Sequence, residues 1–208
     1  FNRDDQGRII HEMSQGYPRP SLNTSRKILG FGVPPQQLGI GASFRYKNLN
    51  ASFLLEGKSG GQIYSGTNNV LFGYGLHQAT VPAGGREAGF VPDGVLEDGT
   101  VITQSLDVSQ QQNYWGRYND SAESGIYDSD YMRLRQVSIG YTFPSEMLDG
   151  TFLESASVSL IGKNLFFISN SVDNIDPESA YNSNNSQGLE YFGLPVPRTV
   201  GVNVNLKF

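Results

Sequence analysis

From Leu38 onward the chain alternates strictly between apolar and polar residues. Leu38, Ile40, Ala42, Phe44 and Tyr46 fall on one side, and Gly39, Gly41, Ser43 and Arg45 on the other. Successive side chains of a strand point to opposite faces, so this period predicts an amphipathic β-strand. Lys47-Asn48 reads as a two-residue hairpin turn. Leu49, Ala51, Phe53 and Leu55 then resume the alternation opposite Asn50, Ser52 and Glu56. Tyr46 and Leu49 should face each other across the turn, so that the apolar faces of the two strands coincide.

The same period returns twice more. Val137, Ile139, Tyr141 and Phe143 alternate with Gln136, Ser138, Gly140 and Thr142 in a strand that begins near Met132 and stops at Pro144, because proline cannot donate to a ladder. After a short connection from Pro144 to Glu154, a strand carrying Ala156, Val158 and Leu160 against Ser157 and Ser159 runs to about Phe167. The last strand is the clearest. Val200, Val202, Val204, Leu206 and Phe208 form one face, and Thr199, Gly201, Asn203, Asn205 and Lys207 the other. Between these strands the periodicity lapses. Residues 1–37, with Pro18, Pro20, Pro34 and Pro35, read as a loop, and a second long loop spans roughly Ser169 to Pro197. Residues 58–131 are rich in Gly, Asn, Gln and aromatics. The start of that stretch, through Ile63-Tyr64, could prolong the second strand. The rest is too long for an ordinary connection, and so is functional or disordered.

Composition narrows the fold class. The 208 residues hold 25 Gly, 11 Tyr and 12 Phe, with only 38% hydrophobic residues, which suits many strands joined by polar loops. A membrane-spanning helix needs roughly 20 mostly apolar residues, and no window supplies them. A net charge of −5 argues against a nucleic-acid partner. The absence of cysteine leaves no disulfide framework and no thiolate metal site. Phe1-Asn2-Arg3-Asp4 has neither a basic nor an apolar region of a signal peptide; an exported protein would carry its signal upstream, with these residues a fragment of it.

The polar faces carry Asn, Ser, Thr, Gly, Lys and Arg, as a water-filled lumen requires, and the apolar faces carry Val, Leu, Phe and Tyr, as lipid requires. Connections also alternate short, long, short, long, as the periplasmic turns and outer loops of a transmembrane barrel do. These features predict an all-β antiparallel transmembrane β-barrel. Arg45, Asn50, Glu56, Asn203 and Asn205 should line its lumen, and residues 65–130 and 170–196 should lie outside the cell. A soluble sandwich strand shows the same alternation, so a secreted β-sandwich that binds carbohydrate is the competing class, and it would bury the apolar faces in a core.

Candidate chemistry is sparse. His11 and His77 stand alone in stretches read as loops, so no catalytic constellation forms and no enzyme is indicated. Asn2-x-Asp4-x-Gln6-Gly7-x-Ile9 resembles a calcium loop but lacks its acidic pattern, and Met13 stands at the twelfth position where a bidentate Glu belongs. The plainer reading is a glycine turn with solvated charges, with no metal and no cofactor. Asp173, Asp176 and Glu178 around Pro177 look like a loop turn. Tyr114, Trp115, Arg117 and Tyr118 form an aromatic cluster in the long outer segment that could meet a ligand or a lid protein, or could simply pack the loop. Arg133 and Arg135 share the parity of Val137 and hence the lipid side, at the outer end of their strand. There they could meet lipid phosphates or pair with loop carboxylates.

The C-terminal run Thr199 to Leu206, completed by Lys207-Phe208, resembles an outer-membrane assembly signal, in which Gly201, Val204, Leu206 and Phe208 are the recognised positions. The chain also resembles the C-terminal end of the SusC/RagA family of TonB-dependent transporters. The segments that carry this resemblance are Tyr131 to Pro144, Gly162-Lys163-Asn164-Leu165-Phe166, Asn174-Ile175-Asp176-Pro177-Glu178 and Pro195-Val196-Pro197-Arg198-Thr199. Upstream, Tyr46-Lys47-Asn48-Leu49 and Gly60-Gly61-Gln62-Ile63-Tyr64 join them. Each is short, but they occur in the family's order and spacing. The resemblance implies that residues 1–208 are the C-terminal portion of a plugged barrel of about 22 strands, of which this chain offers about five. It further implies import of large nutrients, glycans or oligopeptides, driven through TonB by a region outside this chain, with a SusD-like surface lipoprotein as lid. A barrel of the outer membrane without transport activity is the third reading.

Overall fold

A computed structural model describes residues 1–179 and 187–208. In chain order its elements are β1 (Ile10–Ser14), β2 (Tyr17–Pro20), β3 (Gln36–Tyr46), β4 (Leu49–Ser59), β5 (Gln62–Ser65), α1 (Gly66–Gly73), β6 (Val95–Leu96), α2 (Val108–Asn119), β7 (Ile126–Asp128), β8 (Tyr131–Thr142), β9 (Ser155–Asn170), β10 (Leu189–Glu190) and β11 (Thr199–Lys207). The chain is thus mostly strand, with two helices and short 3-10 turns. It divides into two compact units.

The first unit, residues 31–62, 128–179 and 194–208, is a single open five-stranded antiparallel sheet in the order β3-β4-β8-β9-β11. The four expected strand positions and the terminal strand are all present. The hairpin turn falls at Lys47-Asn48, with Tyr46 opposite Leu49 and Lys47 in the left-handed region at φ +51°, as primed hairpin turns demand. Register lines up the alternation across every strand. One row runs Phe44, Ala51, Ile139, Leu160, Val202, and the neighbouring row of the opposite face runs Arg45, Asn50, Gly140, Ser159, Asn203. The apolar face lies open: Phe44 is 64% exposed, Ile139 54%, Leu160 53% and Val202 68%. A β-sandwich would bury such rows against a second sheet, and among the described residues nothing covers them. Strands of 9 to 16 residues reach or exceed the roughly 9–11 residues that a tilted strand needs to cross a bilayer.

Two expectations are corrected here. Ile63-Tyr64 does not prolong β4, which ends at Ser59; Gly60 turns the backbone at φ +81° and the separate strand β5 follows. The parity assigned to Arg133 is also reversed. Leu54 opposes Gln136 and Leu55 opposes Leu134, so Arg135 is an extra, bulged residue in β8. A bulge inserts one residue and exchanges the faces beyond it. Arg133 therefore sits opposite Glu56, on the face of Asn50 and Ser52 rather than that of Val137.

The second unit comprises residues 1–30, 63–127 and the described part of 180–193. The loop expected over residues 1–37 is in part a hairpin, β1 against β2, closed by Gln15 at φ +54° and Gly16 at φ +84°. Pro18 and Pro20 are tolerated because β2 is an edge strand that pairs with β1 alone. The stretch 58–131 is not disordered. Its helix α2 opens on a capping box: Asp107 Oδ1 accepts from the Gln110 amide at 2.9 Å, and the Gln110 side chain accepts from the Asp107 amide at 3.1 Å. Ser65 caps α1 by accepting from the Asn68 amide at 3.0 Å. Tyr17, Phe72, Leu106, Tyr114 and Trp115 form the core, with Phe90 and Tyr118 packed against it. The strand β6 lies beside β1 only because residue 94 is glycine: its φ is +147°, and a Cβ there would stand 2.4 Å from the Ile9 carbonyl oxygen.

Candidate functional site

Three features of the two units carry chemistry. The first is the polar face of the sheet. Arg45, Asn50 and Asn203 share one row, and Asn205 opposes Ser157, which opposes Thr142, in the next. The residues expected to line a lumen are thus on a common face. Two apolar side chains, Leu54 and Ile161, interrupt it. Gly201 opposes Ile161, and Val204 and Leu206 lie on the apolar face, with Phe208 stacked on Phe152 at 5.6 Å between ring centres.

The second feature is an ion cluster at the far end of β8, which sequence reading did not assemble. Arg133, only 3% exposed, donates to Asp176 Oδ2 at 2.6 Å and also pairs with Glu178. Arg135 bonds Glu56 at 2.8 Å, Glu178 at 2.5 Å and Asn164 Oδ1 at 2.7 Å. Tyr131 donates to Glu178 at 2.6 Å. Asp176, 6% exposed, also accepts from the amides of Glu178 and Val196. Burial works to raise the Glu178 carboxyl, but the hydrogen bonds from Arg135 and Tyr131 and the charges of both arginines hold it below the usual carboxylate range. Both arginines therefore pair with carboxylates, the second of the two fates open to them. Asp176 and Glu178 do lie in a loop turn, closed by the Ser179 amide on the Asp176 carbonyl at 2.8 Å, and the same residues add a clamp that ties residues 176–178 to β8. The far side of that long loop includes residues 180–186, which lie outside the described residues.

The third feature is the aromatic unit. Tyr114 and Trp115 are buried in the core of α2, meeting edge to face at 5.1 Å between ring centres. Arg117 reaches Glu12 and Asp120, each at 3.7 Å. Tyr118 packs on Trp115 at 5.4 Å and on Phe72 at 5.1 Å. So the four residues come together, and much of their role is packing. Phe72, Phe90, Tyr114, Trp115 and Tyr118 nevertheless leave a cavity of about 510 Å³ that also touches Arg3, Arg8 and Asp93. His11 is not in a loop but in β1, fully buried, with its ring nitrogens 3.1 Å from the Ile9 carbonyl and 3.2 Å from the Tyr114 hydroxyl. Burial lowers its pKa, against the raising effect of the Ile9 and Val95 backbone and of Asp93. Burial also raises the Tyr114 phenol, with smaller contributions from Tyr118 and Asp93. His77 begins a 3-10 turn, accepts from the Ala79 amide at 3.2 Å and stacks on Phe72. The glycine turn at residues 4–8 closes on itself: Asp4 accepts from the amides of Gln6 and Arg8 and pairs with the Arg8 guanidinium at 2.7 Å. Among the described residues no group of three or more His, Cys, Asp or Glu is placed to hold a metal.

No family model matches the chain. Sequence relatives do. TonB-dependent receptor P3 of Formosa agariphila is 28% identical over 193 residues, covering 88% of this chain and 17% of the receptor. TonB-dependent receptor P26 of the same organism is 26% identical over 187 residues, covering 87% of this chain and 18% of the receptor. The chain therefore spans about a sixth of the length of the curated relatives it matches. Among solved structures, the RagAB peptide importer in its closed-closed state matches 100% of this chain and 20% of its own, with a TM-score of 0.59 at 14% identity. Its open-open state matches 96% of this chain with a TM-score of 0.61 at 15% identity. That identity carries the fold alone. Over most of its length the chain is thus similar in sequence to curated TonB-dependent receptors, and it shares the fold of the matching part of the RagAB importer.

Proposed function

We propose that the chain supplies five strands and two outer loops of an outer-membrane β-barrel that imports large nutrients, glycans or oligopeptides, by a TonB-dependent mechanism. The observation that carries the reading is the common apolar face of the five-stranded sheet, with exposed residues on every strand (Phe44, Leu49, Ile139, Leu160 and Val202 among them) and a polar row on the other side. In water such a face is an aggregation hazard. In a bilayer it is the outside of a barrel, with the polar row toward the lumen. The free edges of β3 and β11 support the same reading. Unsatisfied backbone groups cost several kcal/mol each in hydrocarbon, so further strands must pair with both edges and close a barrel of about 22.

On this reading residues 65–130 and 170–196 face the outside and meet cargo or a SusD-like lipoprotein lid, and TonB engages a part of the protein beyond this chain. The similarity to TonB-dependent receptors P3 and P26 supports the energy coupling. Likeness to the RagAB peptide importer favours a two-component assembly. The test is uptake of labelled oligopeptides and oligosaccharides by cells with and without the full-length gene. Uptake should fall on deletion of the gene and collapse when an uncoupler discharges the inner membrane. Uptake that survives both treatments would overturn the proposal.

A further inference from the structure

The cavity in the aromatic unit has a charge pattern that its packing role does not explain. Two arginines line it, and each is already paired with a carboxylate, Glu123 being shared with the Phe1 amino group. Arg3 donates through Nε to Glu123 at 3.1 Å, and through Nη1 to the Gly7 carbonyl at 2.5 Å. Arg8 holds Asp4 through Nε at 2.8 Å and Nη2 at 2.7 Å. An anion entering the cavity would have to displace those carboxylates. Asp93 is different. It lines the same cavity, is exposed, and has neither a hydrogen-bond donor nor a cation bound to it among the described residues. Of the three charged side chains that line the cavity, Asp93 alone has no ion-pair partner among the described residues, and it is negative.

Its walls have the matching chemistry. Phe72, Phe90, Tyr114, Trp115 and Tyr118 present ring faces and edges, and a cation within about 6 Å of a ring centre is attracted by the ring quadrupole. A volume of about 510 Å³ lies in the range of about 300–1,000 Å³ typical of small-ligand sites, and is ample for an alkyl chain ending in a charged group. The tyrosines stay neutral phenols, since burial raises both of their pKa values.

We propose that this cavity binds an organic cation, the ammonium or guanidinium group of a basic peptide residue or of a small free amine, with Asp93 as its counter-charge and the rings of Tyr114, Trp115 and Tyr118 as its walls. The proposal rests on the reading that this unit faces imported cargo, and it narrows that cargo to molecules with a basic group.

The experiment is isothermal titration of the full-length protein in detergent with tri-lysine, its form acetylated at every amine (Nα and all three Nε) and spermidine. Tri-lysine should bind and the acetylated form should not. Asp93→Asn should weaken tri-lysine binding roughly fivefold or more, and Asp93→Glu should restore most of it. Gln6→Lys, which places a competing cation at an exposed lining position, should weaken binding as well and guards against a misfolded Asp93 variant. Spermidine that displaces tri-lysine identifies a free-amine site, and spermidine that does not identifies a site needing the peptide backbone. Equal binding of the acetylated peptide, or affinity unchanged in both Asp93→Asn and Gln6→Lys, overturns the proposal. Binding is read with no transport step, so a cavity that binds tri-lysine in a protein that imports nothing separates this proposal from the importer reading.

Discussion

The two units of this chain solve the problem of apolar residues in opposite ways. The sheet displays them: Leu38, Ile40, Phe44 and Tyr46 of β3, Ile139 of β8, Leu160, Phe166 and Ile168 of β9 and every second residue of β11 are apolar and open, and the strands hold together through backbone ladders whose register keeps like faces in line. The aromatic unit hides them: Phe72, Leu106, Tyr114 and Trp115 converge on one small core, and its backbone is pinned by caps, short bridges and side-chain hydrogen bonds. A sheet that relies on an external apolar solvent needs only a period of two in its sequence. A unit that must make its own core needs contacts between residues far apart in the chain, which no local period records.

The largest expected effect tests where the sheet departs from its own rule. Arg133 is a buried charge held by two carboxylates in a unit otherwise built on exposure. Arg133→Met removes one partner and leaves Asp176 and Glu178 facing each other without it. Breaking a buried pair from one side costs about 3–5 kcal/mol. Hydrogen exchange of the full-length protein should show residues 171–179 released while the β8–β9 ladder below the bulge stays protected. Protection unchanged at 171–179 would mean that the clamp does not hold the loop.

Next in size is a substitution that tests display itself. Val202 lies in the apolar row with Leu160, Ile139 and Ala51, one apolar row deeper than the row of Leu49 that borders the Lys47-Asn48 turn. Val202→Arg should cost about 1–4 kcal/mol on a lipid-facing site, rising with its depth, and far less on the lumen side. Asn203→Arg, one residue away on the opposite face, is the control. Reversible folding into vesicles measures both. A larger loss for Asn203→Arg would invert the faces.

These contrasts also explain what could be read from the sequence. The five strands, the Lys47-Asn48 turn and the two faces were legible because alternation is local and survives any tertiary context. Parity failed only at Arg133, since one bulged residue, Arg135, shifts every face beyond it and leaves no mark on the sequence. The clamp was illegible for another reason: Arg133 and Asp176 are 43 residues apart, and each alone is an ordinary charged residue near a strand end. In the aromatic unit, Asp107-x-x-Gln110 and Ser65-x-x-Asn68 were usable helix-start signals. They were masked by the polar content of α2, where buried Gln111, Tyr114 and Trp115 stand among Gln, Asn and Ser. The hairpin of β1 and β2 was hidden by Pro18 and Pro20, which mark a loop unless the strand is known to be an edge. The rings of Tyr114, Trp115 and Tyr118 do meet in space while Arg117 pairs with Glu12 and Asp120, and Asp93 and His11, which complete the surroundings of the rings, come from other segments.

A smaller effect tests whether local pins hold the aromatic unit. Asp107→Ala removes the cap that satisfies the Gln110 amide and also frees the reciprocal bond from Gln110. Loss of such a cap costs about 1 kcal/mol. Exchange should quicken across Val108–Gln111, the first turn of α2, and leave β4, β8 and β9 untouched. If exchange quickens equally in the sheet, the two units unfold together and the comparison between them collapses.

The smallest expected effect is a pH dependence confined to the aromatic unit, and its sign follows from His11. The imidazole is fully buried, with Tyr114 of α2 on one nitrogen, the Ile9 carbonyl near the other, and Asp93 the charged group that acts on it. Burial disfavours the charged ring and lowers its folded pKa below the ordinary imidazole value of about 6.5, although the Ile9 and Val95 backbone and Asp93 act in the opposite direction. In the unfolded unit the ring takes up a proton near pH 6.5, whereas the folded unit resists until lower pH. The unfolded state thus binds more protons over that interval, so stability is full above about pH 6.5 and falls as pH drops toward the folded pKa. Exchange at β1 and α2 should accelerate as pH is lowered through this window, once the intrinsic pH dependence of exchange is removed. Two variants sharpen the attribution. His11→Gln should abolish the dependence, since no titrating ring remains. Asp93→Asn should steepen it, because removing the nearby carboxylate removes support for the protonated ring and widens the gap between folded and unfolded pKa. A dependence that persists in His11→Gln would assign the titration to another group. One that is unchanged in Asp93→Asn would show that Asp93 does not act on His11.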